Sequence, residues 1–112
     1  MLTKLLENIG LNSKEAKVYL ATLELGSSPV SAIASKAKIN RVTSYDILEK
    51  LAKKGLLNFI VKNKMKYFSA TDPEIIVSEY KKRAIELEKA LPDLKRLHGD
   101  TIHPRVRYYE GL

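Results

Sequence analysis

The residues able to carry covalent chemistry are few and poorly spaced. The chain has no cysteine, which excludes thiol nucleophiles, thiolate-ligated metals and disulfides. Its two histidines, His98 and His103, lie on either side of Gly99, a spacing that suits no metal pair. No glycine-rich phosphate loop, serine elbow or His/Asp pairing accompanies them. The sequence therefore predicts no enzyme, no metal and no cofactor. Binding chemistry is what remains, and it gathers in one short stretch. Arg41, Val42, Thr43, Tyr45 and Asp46 crowd the start of a candidate helix. Arg41 can donate two hydrogen bonds to the edge of guanine. Thr43 can bond a base or a phosphate, or touch a thymine methyl. Asp46 can accept from cytosine, or hold Lys50 four residues on. Tyr45 reads equally well as packing or as a base contact.

Charge points the same way. The 112 residues carry a net charge of +7. Between Lys36 and Lys66 stand nine basic residues against Asp46 and Glu49 alone, so the whole surplus sits in that stretch. A surplus concentrated over consecutive elements fits a polyanion surface better than a merely solvated face. Ser31, Lys36, Lys38, Lys50, Lys62, Lys64 and Lys66 are the candidate contacts to a phosphate backbone. Each has a plainer reading. Lys36 and Lys38 also solubilise. Lys50, with Lys53 and Lys54, suits the negative end of a helix. Lysines around a hairpin turn discourage strand pairing between molecules.

The elements that would hold these residues follow from periodicity. Leu2, Leu5, Leu6 and Ile9 form one face of a first helix, which Gly10 ends. Asn12 and Glu15 form a capping box before a second helix with Ala16, Tyr19, Leu20 and Leu23 inward; Gly26 ends it. Ser27 to Val30 reads as a turn or a very short extended piece. Ser31 is the expected cap of a third helix, with Ile33, Ala34 and Ala37 inward. Asn40 caps a fourth, with Ser44, Ile47, Leu48 and Leu51 inward and Gly55 at its end. The period then changes to two: strands are expected over residues 56–61 and 65–70 around Lys62-Asn63-Lys64. Helix, turn, helix and hairpin is the order of a winged helix-turn-helix. The fold class expected is mainly α with a small β-hairpin, followed by a dimerising coiled-coil helix.

That last helix opens at Asp72-Pro73. Val77, Tyr80, Ala84, Leu87, Leu91 and Leu94 alternate at spacings of three and four, as a coiled-coil seam does. Glu79–Arg83 and Glu86–Lys89 pairs are expected on its polar face. Pro92 predicts a kink or a restart near Asp93. Residues 1–70 thus read as a DNA-binding domain, 71–99 as a dimerisation helix and 100–112 as a tail. A strand is expected over residues 105–109 of that tail. No stretch approaches the length of a membrane span, and the N-terminus lacks the order of a signal peptide, so a cytoplasmic protein is expected.

Several motifs together resemble the N-terminal domain of the TrmB family of transcription regulators. They are Glu15-Ala16-Lys17-Val18-Tyr19-Leu20, Asn40-Arg41-Val42-Thr43-Ser44-Tyr45-Asp46, Lys53-Lys54-Gly55-Leu56 and Lys66-Tyr67-Phe68-Ser69-Ala70. The resemblance implies a winged-helix domain on double-stranded DNA, a dimer through residues 74–98, and repression or activation of transcription. It also implies an effector, commonly a sugar, wherever a further C-terminal domain exists, and residues 105–112 look like the start of one. Asn40 stands where relatives often carry proline, and Ser44 where an apolar residue is usual, so no base preference carries over. Two other readings stay open: a winged helix that docks proteins without DNA specificity, and a binder of structured RNA.

Overall fold

The computed structural model describes residues 2–99. Five helices are present in them: α1 (Leu2–Asn8), α2 (Ser13–Leu25), α3 (Val30–Ala37), α4 (Arg41–Lys53) and α5 (Pro73–Gly99). Three strands accompany them: β1 (Ser28–Pro29), β2 (Leu57–Lys62) and β3 (Met65–Ala70). The chain divides into two units after Ile76. His103 and the strand expected over residues 105–109 lie outside the described residues.

Local hydrogen bonds set most helix ends. Asn12 and Glu15 form the expected capping box: the Glu15 N–H donates to Asn12 Oδ1 at 2.8 Å, and the Asn12 N–H donates to Glu15 Oε1 at 2.9 Å. The Thr43 N–H donates to Asn40 Oδ1 at 2.8 Å, which starts α4. The expected cap of α3 needs correction. That helix starts at Val30, and Pro29 precedes it without a side-chain cap. Ser31 therefore lies inside the first turn. At the other end Lys38 takes a left-handed conformation (φ 61°), which turns the chain sharply into α4. Asn63 and Lys64 are also left-handed, the geometry that a two-residue type I′ hairpin requires.

The sheet has three antiparallel strands in the order β1-β3-β2, one more than the expected hairpin. β1 is the short piece after α2; Ser28 faces Phe68 and Pro29 faces Tyr67. β2 begins at Leu57, one residue later than expected, and pairs with β3 from Leu57↔Ala70 to Lys62↔Met65.

The core lies around α2, which packs against α1, α3, α4 and β3. Ala16, Val18, Tyr19, Ile33, Leu48, Leu51, Leu57 and Phe68 fill it. The inward stripe expected for α2 is partly wrong. Leu23 is exposed, while Val18 and Thr22 are buried. A helix with neighbours on several sides buries more than one stripe. Thr22 is tolerated because its hydroxyl donates to the Val18 carbonyl at 2.8 Å. Ser44 is fully buried and donates to the Ile39 carbonyl at 3.3 Å, across the turn between α3 and α4. Ile76, in the first turns of α5, packs against the same core.

One buried charge is satisfied from within. Glu15 is 2% exposed. Burial pushes its carboxyl up, but the Asn12 N–H, the Lys50 ammonium at 2.9 Å and nearby Lys54 outweigh that and hold it below the ordinary carboxylate range. A carboxyl depressed by folding contributes stability at neutral pH, which is lost as pH falls through its folded value. The urea midpoint should therefore fall on acidification from about pH 6 to about pH 3. Glu15→Gln should flatten that fall and cost about 1–3 kcal/mol at neutral pH. Urea melts of both proteins across that range check it; a variant with the wild-type pH dependence would contradict it.

In the second unit, from Val77 onward, α5 runs through Pro92 without ending. Of the kink or restart expected there, the continuous helix excludes a restart at Asp93. Asp93 instead accepts from Arg96 Nη2 at 2.9 Å, three residues on. In place of the expected Glu79–Arg83 pair, the Arg83 guanidinium lies 5.2 Å from the centre of the Tyr80 ring. No described residue of α5 is buried, and Val77, Tyr80, Ala84, Leu87, Leu91 and Leu94 are all exposed.

Candidate nucleic-acid interface

A groove of about 520 Å³ opens between the start of α3, the outer face of α4 and the start of β3. Pro29, Val30 and Ser31 form one wall, Arg41, Val42, Tyr45 and Asp46 the second, and Lys64, Met65 and Lys66 the third. The left-handed Lys38 and the Asn40 cap aim the first turn of α4 into this space, and the type I′ turn brings Lys64 to its rim. Val42 is 74% exposed, and nothing in the described chain covers it.

Four of the five residues expected to face bases line the groove: Arg41, Val42, Tyr45 and Asp46. Thr43 does not line it. It is half-buried one step around the helix, and its N–H is taken by the cap. Of the expected phosphate contacts, Ser31, Lys64 and Lys66 line the groove. Lys62 is exposed beside the turn. Lys38 is exposed in the turn between helices. Lys36 is 3.4 Å from Glu24 of α2.

Three lysines have partners on other elements that sequence reasoning missed: Lys36, with Glu24, then Lys50 and Lys66. Lys50 does not pair with Asp46; it reaches Glu15 of α2 at 2.9 Å. Lys66 reaches Glu49 of α4 at 2.7 Å. Its ammonium lies 3.5 Å from the Tyr45 hydroxyl and 4.4 Å from the centre of the Phe59 ring. The Lys66 hydrogen bond holds the Glu49 carboxyl below its ordinary range against the opposing effect of burial, and Glu49 in turn raises Lys66. Glu49 and Phe59 were not expected to matter. The available signal was the spacing of Tyr45 and Glu49, four apart on one helix face.

The arrangement presents Arg41 and Lys64 as cations, Asp46 as an acceptor, and Val42 and Met65 as apolar contacts. Such a set can read hydrogen-bonding edges and methyl groups, but it has no nucleophile paired with a base. Among the described residues, no three histidines or carboxylates come close enough to hold a metal ion, and no helix is long and apolar enough to cross a membrane.

Comparison with known proteins gives a consistent picture. A family model described as sugar-specific transcriptional regulator TrmB matches residues 6–74. The HTH-type sugar sensing transcriptional regulator TrmBL1 of Pyrococcus furiosus is 30% identical over 96% of this chain and 32% of its own length. The solved structure of TrmBL2, described as an archaeal chromatin protein with a novel mode of DNA binding, superposes with a TM-score of 0.64. It is 25% identical over 94% of this chain and 43% of that one. MepR of Staphylococcus aureus, a transcription regulator of a multidrug efflux pump, shares the fold at a TM-score of 0.53 and 20% identity, over 83% of this chain and 72% of its own. The chain spans about a third of the curated relative and less than half of the first solved one.

Proposed function

The chain belongs to the TrmB family, and from that premise we propose that it binds duplex DNA through the groove between α4 and the hairpin to regulate transcription. One observation carries the reading: Arg41, Val42, Tyr45 and Asp46 line the same groove as Lys64, at the centre of the only strongly basic stretch of sequence. In this reading α4 enters the major groove and its first turn meets base edges. Ser31, Lys62 and Lys64 meet the flanking phosphates, with Lys36 and Lys38 beside them. Two copies joined through Val77, Tyr80, Ala84, Leu87, Leu91 and Leu94 would present two α4 helices to successive major grooves of a palindromic site. A sugar effector would act through a further domain of the kind that the longer relatives have room for.

Binding to duplex DNA against salt tests the reading. With about 6–8 phosphates neutralised per dimer, log K should fall against log salt with a slope of roughly −5 to −7. Arg41→Ala should weaken binding by about 1–3 kcal/mol at sites selected from genomic DNA. It should have little effect on random duplex, because a base contact carries discrimination and a phosphate contact does not. A negligible salt slope, or stronger competition by structured RNA than by duplex DNA, would refute the reading.

A further inference from the structure

The three lysines of the hairpin are not equivalent. Lys62 and Lys64 are exposed and have no ion pair among the described residues. Lys66 is only about one-third exposed (32% for its side chain) and is fully engaged. Its Nζ is 2.7 Å from Glu49 Oε2 and 3.5 Å from the Tyr45 hydroxyl. It lies over the face of Phe59, 4.4 Å from the ring centre. Tyr45 and Glu49 belong to α4; Phe59 and Lys66 belong to the hairpin. The cross-strand register puts Phe59 opposite Phe68, two residues from Lys66, so Phe59 and Lys66 share the face turned toward α4.

The place of this cluster matters. Near its base the hairpin is anchored by Leu57 and Phe68, both buried. Beyond the Phe59–Phe68 pair, toward the tip, Ile60, Val61 and Met65 are all exposed, so no core holds that part. Among the described residues, the polar side-chain links between the hairpin and α4 are the two made by Lys66. A two-stranded ribbon without a packed face is marginal by itself.

We propose that Lys66 is a positioning residue: Glu49 holds its ammonium away from phosphate, and the pair clamps the distal hairpin to α4 so that Lys62 and Lys64 carry the wing's backbone contacts. The inference rests on the DNA-binding reading above for its second half only. The opposite shifts of Glu49 and Lys66, each stabilised in its charged form by the other, agree with the geometry.

Two measurements on the full chain test it. The first needs no DNA. In Lys66→Met, amide hydrogen exchange over the outer hairpin should quicken by about fivefold or more relative to amides of α2, because the restraint on local opening is gone. In Lys64→Met it should stay at the wild-type rate. Lys66→Arg, which keeps the ion pair, should also stay near wild type. The second measurement is the salt slope on one duplex. Lys62→Met and Lys64→Met should each flatten it by about 0.9 per protomer, since one phosphate fewer is neutralised and its counterion stays bound. Lys66→Gln, which keeps a hydrogen-bond donor for Glu49 without the charge, should leave the slope unchanged. Exchange in Lys66→Met at the wild-type rate would overturn the clamp. A slope in Lys66→Gln as flat as that of Lys64→Met would overturn the withholding of its charge. A wild-type protein with no salt slope would refute DNA binding itself, while the exchange measurement would still decide the clamp.

Discussion

Phe68→Ala is expected to lower the thermal midpoint by roughly 12–40 °C, at about 4–8 °C per kcal/mol for a domain of this size. Phe68 is 0% exposed in the central strand, facing Ser28 of β1 and Phe59 of β2. Its ring centre lies 5.6 Å from that of Phe59. Removing a fully buried phenylalanine ring costs about 3–5 kcal/mol, through forfeited transfer energy and the cavity left behind. Whole domains are stable by only about 5–15 kcal/mol, and short ones sit at the low end. The variant should therefore be marginal at room temperature. Phe59→Ala makes the control: Phe59 is 42% exposed, so its truncation leaves no closed cavity and should cost less than half as much. Circular dichroism melts of the two variants check the contrast. Equal midpoints would mean that Phe68 does not anchor the sheet as its burial implies.

If two copies pair through α5 as proposed, the double substitution Leu87→Glu with Leu91→Glu is expected to leave a monomer at micromolar concentration. Both leucines lie on the stripe of α5, and Leu87 is 62% exposed in the single chain. If a second copy covers that stripe, four leucines per dimer lose their burial, at about 1.5–3 kcal/mol each. That sum corresponds to at least about four orders of magnitude in the dimer dissociation constant. Four carboxylates facing one another would add repulsion. Sedimentation equilibrium reads the mass directly. On a palindromic duplex the variant should bind about 10²–10⁴-fold more weakly, because the two halves no longer share an effective concentration. On a single half-site its affinity should match that of wild type. A wild-type chain that sediments as a monomer would remove the seam from consideration.

Much of the fold was legible because it is encoded locally. Asn12, Asn40, Gly26 and Gly55 mark helix ends through bonds or backbone angles that span three or four residues, and each stands where the sequence predicts. The hairpin was legible for the same reason, since Asn63 supplies the left-handed turn between two strand-like runs. Failures came where an outcome depends on neighbours in space. The two-residue β1 carries no periodicity and exists only because β3 offers it an edge. Leu23 matches its helical stripe but lies outside the core cluster, 42% exposed, while Thr22 is buried by neighbours on another side of α2.

The candidate site divides in the same way. Composition and spacing determined that the basic surplus falls on α3, α4 and the hairpin, and that Arg41, Val42, Tyr45 and Asp46 open one helix; those are counts along the chain. Only the tertiary structure decided which charges are spoken for. Lys50 is taken by Glu15 of α2, and Lys66 by Glu49, while Lys64 is left at the groove. The physical reason is that an ion pair is chosen by distance in space. A lysine on a strand or helix can swing toward any element that the fold brings near, and nothing in its local sequence records which one that will be.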